Sequence, residues 1–149
     1  MKPILIQLTA SFLGSLGFSL LFNVEKKKLL PCSLGGVFIW CVYLICTRSF
    51  RLGDLAASAI SAGVCQLFAE GMARRMKAPT TVFCIPALVP LIPGGSLYRT
   101  MEAVIARDWD KFYTSGSATL QVTFGIALGL SLISGLLFTL RKKKKIEKI

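Results

Sequence analysis

Uncharged apolar stretches alternate with short charged clusters along this chain. Pro3 to Asn23 is a run of 21 residues without a charge, closed by Glu25-Lys26-Lys27-Lys28. Leu29 to Thr47 is a second run, closed by Arg48-Ser49-Phe50-Arg51. Leu55 to Ala73 is a third, carrying one ionisable residue, Glu70, and ending at Arg74-Arg75-Met76-Lys77. Ser115 to Leu140 runs 26 residues to the cluster Arg141 to Lys145. At about 1.5 Å per residue the first run alone reaches roughly 31 Å, the thickness of a bilayer's hydrocarbon core. Each run therefore predicts a membrane-spanning helix, and the first is read as a retained helix because no small-residue cleavage site precedes its charged end.

Thr80 to Ile105 fits the pattern less simply. Its first half is apolar but carries Pro86, Pro90 and Pro93, followed by Gly94-Gly95, and its second half holds Arg99 and Glu102. Proline inside a helix removes a hydrogen bond and clashes with the preceding turn. The segment reads as one discontinuous span, two half-helices meeting at Pro93-Gly94-Gly95. The competing reading is a re-entrant loop followed by an interfacial helix, which leaves four full spans. The fold class expected is an all-α membrane protein of about five transmembrane helices, the fourth broken. It forms a single domain over 1–149, with spans near 3–23, 29–47, 55–73, 80–105 and 115–140 and a basic cytoplasmic tail over 141–149.

Composition and charge sharpen this picture. The chain has 149 residues, 54% of them apolar and only 17% charged, yet its formal net charge is +11. So apolar a chain is neither a soluble domain with a charged surface nor a disordered basic tail. No extended soluble segment is left to read nucleic acid. In five spans, one side carries 12 Lys and Arg, from Lys26 to Lys28, Arg74, Arg75, Lys77, Arg141 to Lys145 and Lys148. The other side carries 5, namely Lys2, Arg48, Arg51, Arg107 and Lys111. The richer side is expected to be cytoplasmic, which sets the N-terminus outside and the C-terminus inside.

Helix association in lipid depends on small residues. The third span offers Ala56 to Ala59 and Ser61 to Gly63, the first Ser11, Ser15 and Ser19, and the last Gly125-x-x-x-Gly129 and Ser131-x-x-x-Gly135. These serve either internal packing or a second subunit; a five-helix bundle is thin, so an oligomer or hetero-complex is expected. Cys32, Cys41, Cys46, Cys65 and Cys84 are irregularly spaced within apolar runs, without His or a CxxC pair. They read as small apolar fillers rather than a metal site or disulfide framework, and no cofactor is implied. The absence of His and of an acidic dyad also argues against an intramembrane enzyme.

The candidate chemistry lies at the break. A half-helix starting near Gly95 or Ser96 turns free N–H groups and a positive dipole end inward, where an anionic group can be held. Pro90, Pro93, Gly94, Gly95, Ser96, Tyr98 and Arg99 are the candidate substrate-binding residues: the glycines allow close approach, Ser96 caps or contacts, and Arg99 neutralises a carboxylate. The alternative is a structural kink with no ligand. Four further polar residues are candidates within the spans. Glu70 either marks an ion path or pairs with Arg74 four residues on. Gln66 bonds across helices or lines a path, Asn23 caps the first helix or bonds a neighbour, and Glu102 pairs with Arg99 unless Arg99 serves a ligand. Tyr98, Trp109 and Tyr113 suit an interfacial belt.

Gly17-Phe18-Ser19-Leu20-Leu21-Phe22-Asn23-Val24 and Val89-Pro90-Leu91-Ile92-Pro93-Gly94-Gly95-Ser96-Leu97-Tyr98-Arg99-Thr100-Met101 together carry a family signal. They resemble the small membrane half of the bacterial threonine/serine exporters, over nearly the whole chain. The resemblance implies export of threonine, serine or a dicarboxylate such as succinate across the bacterial inner membrane. It also implies a larger membrane partner subunit of the same family. The rival expectation is a scaffold that stabilises that partner without forming the path.

Overall fold

The computed structural model describes residues 2–146, and side chains over 4–141. The basic tail beyond Arg141, with the side chains of Lys142 to Lys145 and with Lys148, lies outside the described side chains. Six α-helices follow one another: α1 (Lys2–Leu21), α2 (Lys26–Arg48), α3 (Asp54–Met76), α4 (Thr80–Leu88), α5 (Gly94–Ile105) and α6 (Trp109–Ile146), with a 3₁₀ turn at Val89–Leu91. No strand occurs among the described residues. Four helices are long and apolar enough to span a membrane, and Thr80–Leu91 with Gly94–Ile105 forms a pair bent by 52°.

The charged clusters end the apolar runs but not the helices. α2 begins inside the lysine cluster, at Lys26, and α6 runs on past Leu140 into the basic tail, because Lys and Arg are good helix formers wherever water can reach their heads. Backbone geometry does the stopping. α1 closes with Asn23 at φ 53°, while Val24 N–H donates to the Ser19 carbonyl at 3.0 Å and Asn23 N–H to that of Leu20 at 3.0 Å. This is a Schellman closure, and asparagine tolerates its left-handed position. So Asn23 caps its helix. Arg107, at φ 54°, closes α5 in the same way: Asp108 N–H donates to the Ala103 carbonyl at 2.9 Å. Asp108 then opens α6 by accepting the Lys111 N–H at 3.2 Å.

α3 is the most enclosed of the long helices, and α1 and α6 lie at the periphery. The core cluster joins Cys32 and Ile39 of α2, Cys65, Ala69 and Ala73 of α3, and Phe83, Cys84 and Ala87 of α4. Three of the five cysteines thus fill space in the core, and their thiols donate locally, Cys32 to the Val82 carbonyl at 3.3 Å and Cys84 to Gln66 Oε1 at 3.4 Å. The small residues are used within the chain. Gly129 lies on the Ala59 carbonyl and Gly63, Gly125 on Leu55 and Ser58, and Ser15 on Gly36. Gly135, Gly14 and Gly17 face open space.

These contacts fix directions. Gly125 meets Leu55 and Ser58, Gly63 faces Gly129 and Ile133, and Glu70 meets Arg141. The order rises together in both helices, so α3 and α6 run parallel. Their start points share one end of the bundle, and the chain must cross once between Met76 and Trp109. α4 and α5 make that crossing together, each half about 18 Å long counting the 3₁₀ turn with α4. A re-entrant loop would return the chain to the end where α3 finishes and leave α6 antiparallel to α3. The bundle therefore contains five traverses. One end gathers Lys26 to Lys28, Arg74, Arg75, Lys77 and Arg141; the other gathers Arg48, Arg51, Arg107 and Lys111.

Candidate functional site

The break in the fourth traverse follows from its prolines. Pro90 and Pro93 bring no N–H to a helical ladder. Val89 N–H closes α4 on the Pro86 carbonyl, Ile92 N–H donates to the Val89 carbonyl at 3.2 Å, and Gly94 N–H turns back to that of Ile92 at 2.8 Å. Ile92 is extended and Pro93 sits at ψ 50°, so these two residues are the non-helical joint. Gly94 and Gly95 form the first turn of α5 rather than the joint itself. Pro86 stays within α4. Leu97 N–H reaches the Pro93 carbonyl at 3.0 Å. A helix start leaves the N–H groups before it, those of Gly95 and Ser96, without intrahelical acceptors. Ser96 does not cap them: its hydroxyl donates to the Pro93 carbonyl at 3.1 Å.

The joint sits level with the middle of α2, since Pro90 packs beside Gly36. A cleft of about 390 Å³ opens there. Pro90 to Pro93 line it at the joint, α5 contributes a wall with Ser96 and Arg99, α2 and α3 contribute another with Trp40, Tyr43 and Asp54, and α6 adds Ala118 and Val122. Tyr43 donates its phenolic hydrogen to Asp54 Oδ1 at 3.2 Å, and the Trp40 and Tyr43 rings stack with centroids 5.3 Å apart at 27°. Across Trp40 and Pro90 lies a smaller cavity of about 260 Å³ reaching Gln7, Ser11 and Gly14 of α1. Gln7 Oε1 and Trp40 Nε1 are buried there without hydrogen-bond partners, as is Ser15 Oγ.

Of the residues singled out from the sequence, Pro90, Pro93, Ser96 and Arg99 come together on this cleft. Gly94 and Gly95 stand exposed beside it, with open space where a Cβ would project. Tyr98 is not among the residues lining it and is 71% exposed. Glu102 is exposed as well and forms no ion pair with Arg99. Gln66 bonds across helices, to Cys84. Glu70 is buried near the opposite, basic end. It accepts from Arg74 Nε at 2.7 Å, from Thr80 Oγ1 at 3.2 Å and from Arg141 Nη2, and so ties α3, α4 and α6 together. The Arg74 pair was legible from the four-residue spacing; the Thr80 and Arg141 contacts were not.

Sequence reading missed Trp40, Tyr43, Asp54 and Gln7. Asp54 looks in the sequence like an ordinary charge at the end of a span. The three-residue spacing of Trp40 and Tyr43 places both rings on one helix face, but not on which neighbour that face lies.

The model of the family described as Threonine/Serine exporter, ThrE, matches residues 7–136, which include the seven candidate residues between Pro90 and Arg99. No solved structure matches the chain.

Proposed function

The chain belongs to the threonine/serine exporter family, and on that premise we propose that it carries small solutes through the cleft at the broken fourth traverse. The protein is an exporter-type transporter subunit that crosses the membrane several times. Its substrates are small carboxylates: threonine and serine, or a dicarboxylate such as succinate. The single observation that carries this reading is the joint at Ile92-Pro93. It sits at mid-bundle and opens a cleft that brings together Ser96, Arg99 and the N-terminal turn of α5. A guanidinium and an uncapped helix start are the groups that hold a carboxylate. The arrangement parallels discontinuous helices in secondary transporters, where the substrate sits at the junction and the halves rock about it.

The basic end faces the cytoplasm of a bacterial inner membrane and the N-terminus faces outward, as the distribution of Lys and Arg favours. A larger membrane subunit of the same family completes the path. The test is efflux of labelled threonine, serine and succinate from cells expressing the chain with that subunit. Arg99→Ala should lower efflux at least about tenfold, the weight of one charged hydrogen bond, while the amount of assembled complex stays normal. A non-transporting scaffold would behave differently. Substitutions at the cleft would then leave transport per complex unchanged, and substitutions in the helix interfaces would lower the yield of complex.

A further inference from the structure

The cleft has two chemically opposite walls. Asp54 and Arg99 are the charged residues that line it, one supplied by α3 and the other by α5. Among the described residues neither forms an ion pair. The Asp54 wall carries two stacked aromatic rings, and the Tyr43 hydroxyl engages only Oδ1 of the carboxylate. A carboxylate beside aromatic faces attracts a cation, by charge and by the ring quadrupoles. The Arg99 wall carries a guanidinium and the positive end of α5, which attract an anion.

We propose that Asp54, oriented by Tyr43 and flanked by Trp40, is the residue that recognises the substrate's ammonium group. The cleft thereby selects small zwitterionic amino acids over dicarboxylates. The inference rests on the reading of the cleft as the transport site. A zwitterion meets both walls with matching charge. A dicarboxylate meets Arg99 with one end and brings its other negative end towards Asp54, where like charges repel. Tyr43 is a positioning residue: its hydrogen bond fixes the carboxylate's orientation.

The experiment uses the full chain with its co-purifying partner, reconstituted in vesicles. It measures uptake of labelled threonine in exchange for internal threonine, in competition with unlabelled 3-hydroxybutyrate, which keeps the carboxylate and hydroxyl but lacks the ammonium. Asp54→Asn should shrink the preference for threonine over 3-hydroxybutyrate at least about tenfold. Tyr43→Phe should shrink it less, in the same direction, and Asp54→Glu should restore part of it. Arg99→Gln should weaken both compounds together. An unchanged preference in an assembled Asp54→Asn complex overturns the proposal. If that variant does not assemble, an unchanged preference in Tyr43→Phe overturns it. A changed pH profile with an unchanged preference assigns Asp54 to a proton or metal cation, and also overturns it. Equilibrium dialysis of labelled threonine separates the two readings. Binding that requires Asp54 without any transport sinks the exporter reading and keeps the ammonium site, whereas transport with preference unchanged does the reverse.

Discussion

Glu70 shows how much one residue's surroundings decide. It has only 6% of its surface exposed and accepts hydrogen bonds from three helices' worth of donors. Glu70→Gln keeps the shape and removes the charge that two guanidiniums answer. It should cost about 1–3 kcal/mol, read as a lower unfolding midpoint of the purified protein in detergent; an unchanged midpoint would mean that exposed Arg74 and Arg141 contribute nothing there. Arg107 is a second residue under constraint, since a non-glycine side chain at φ 54° closes α5. Arg107→Gly should stabilise that turn by about 1 kcal/mol, seen as slower amide exchange at Asp108. Asp108 itself caps α6, and the Lys111 N–H and ammonium hold its carboxyl below the usual aspartate range. With its folded pKa below the unfolded value of about 3.9, the cap is fully stabilising above that pH and is lost as pH falls through the folded pKa. Exchange at Lys111 N–H should therefore show an extra acceleration on acidification that Asp108→Asn abolishes.

Between helices, the contact surfaces are set by small residues. Gly129 sits on the Ala59 backbone, so an added side chain has nothing flexible to push aside. Gly129→Leu should part α3 from α6 and cost about 3 kcal/mol. Gly135, six residues on along the same helix, faces open space, and Gly135→Ala should change stability by less than about 1 kcal/mol. Reversible unfolding in mixed micelles compares the two; equal effects would sink the packing account. Gly125-x-x-x-Gly129 and Ser131-x-x-x-Gly135 look alike in sequence. Only the first is used inside the chain. Nothing local distinguishes them, because a lipid-facing surface and a helix-facing surface are both apolar. α5 is different: its polar and apolar faces separate along the helix, and Thr100 and Ala103 are its buried residues.

For the molecule as a whole, parallel packing of α3 and α6 commits the chain to five traverses. In a cysteine-free background, single cysteines at Ser49 and Ser115 should label from one side of a sealed membrane and one at Lys77 from the other. Labelling of Ser115 and Lys77 from the same side would contradict the fold. The sequence by itself determined the apolar runs, the break near Pro93, the clustering of positive charge and the family, since each depends on residues adjacent along the chain. Its net charge of +11 is carried mostly by the clusters that close the apolar runs. Only the tertiary structure decided that Arg141 meets Glu70 across 71 residues, that α3 and α6 run parallel, and that Asp54, Tyr43 and Arg99 line one cleft. Hydropathy is a local property and records how deep a residue lies. Which side chains converge at that depth depends on which helices touch, and in lipid that is decided by steric fit between small residues far apart in the chain.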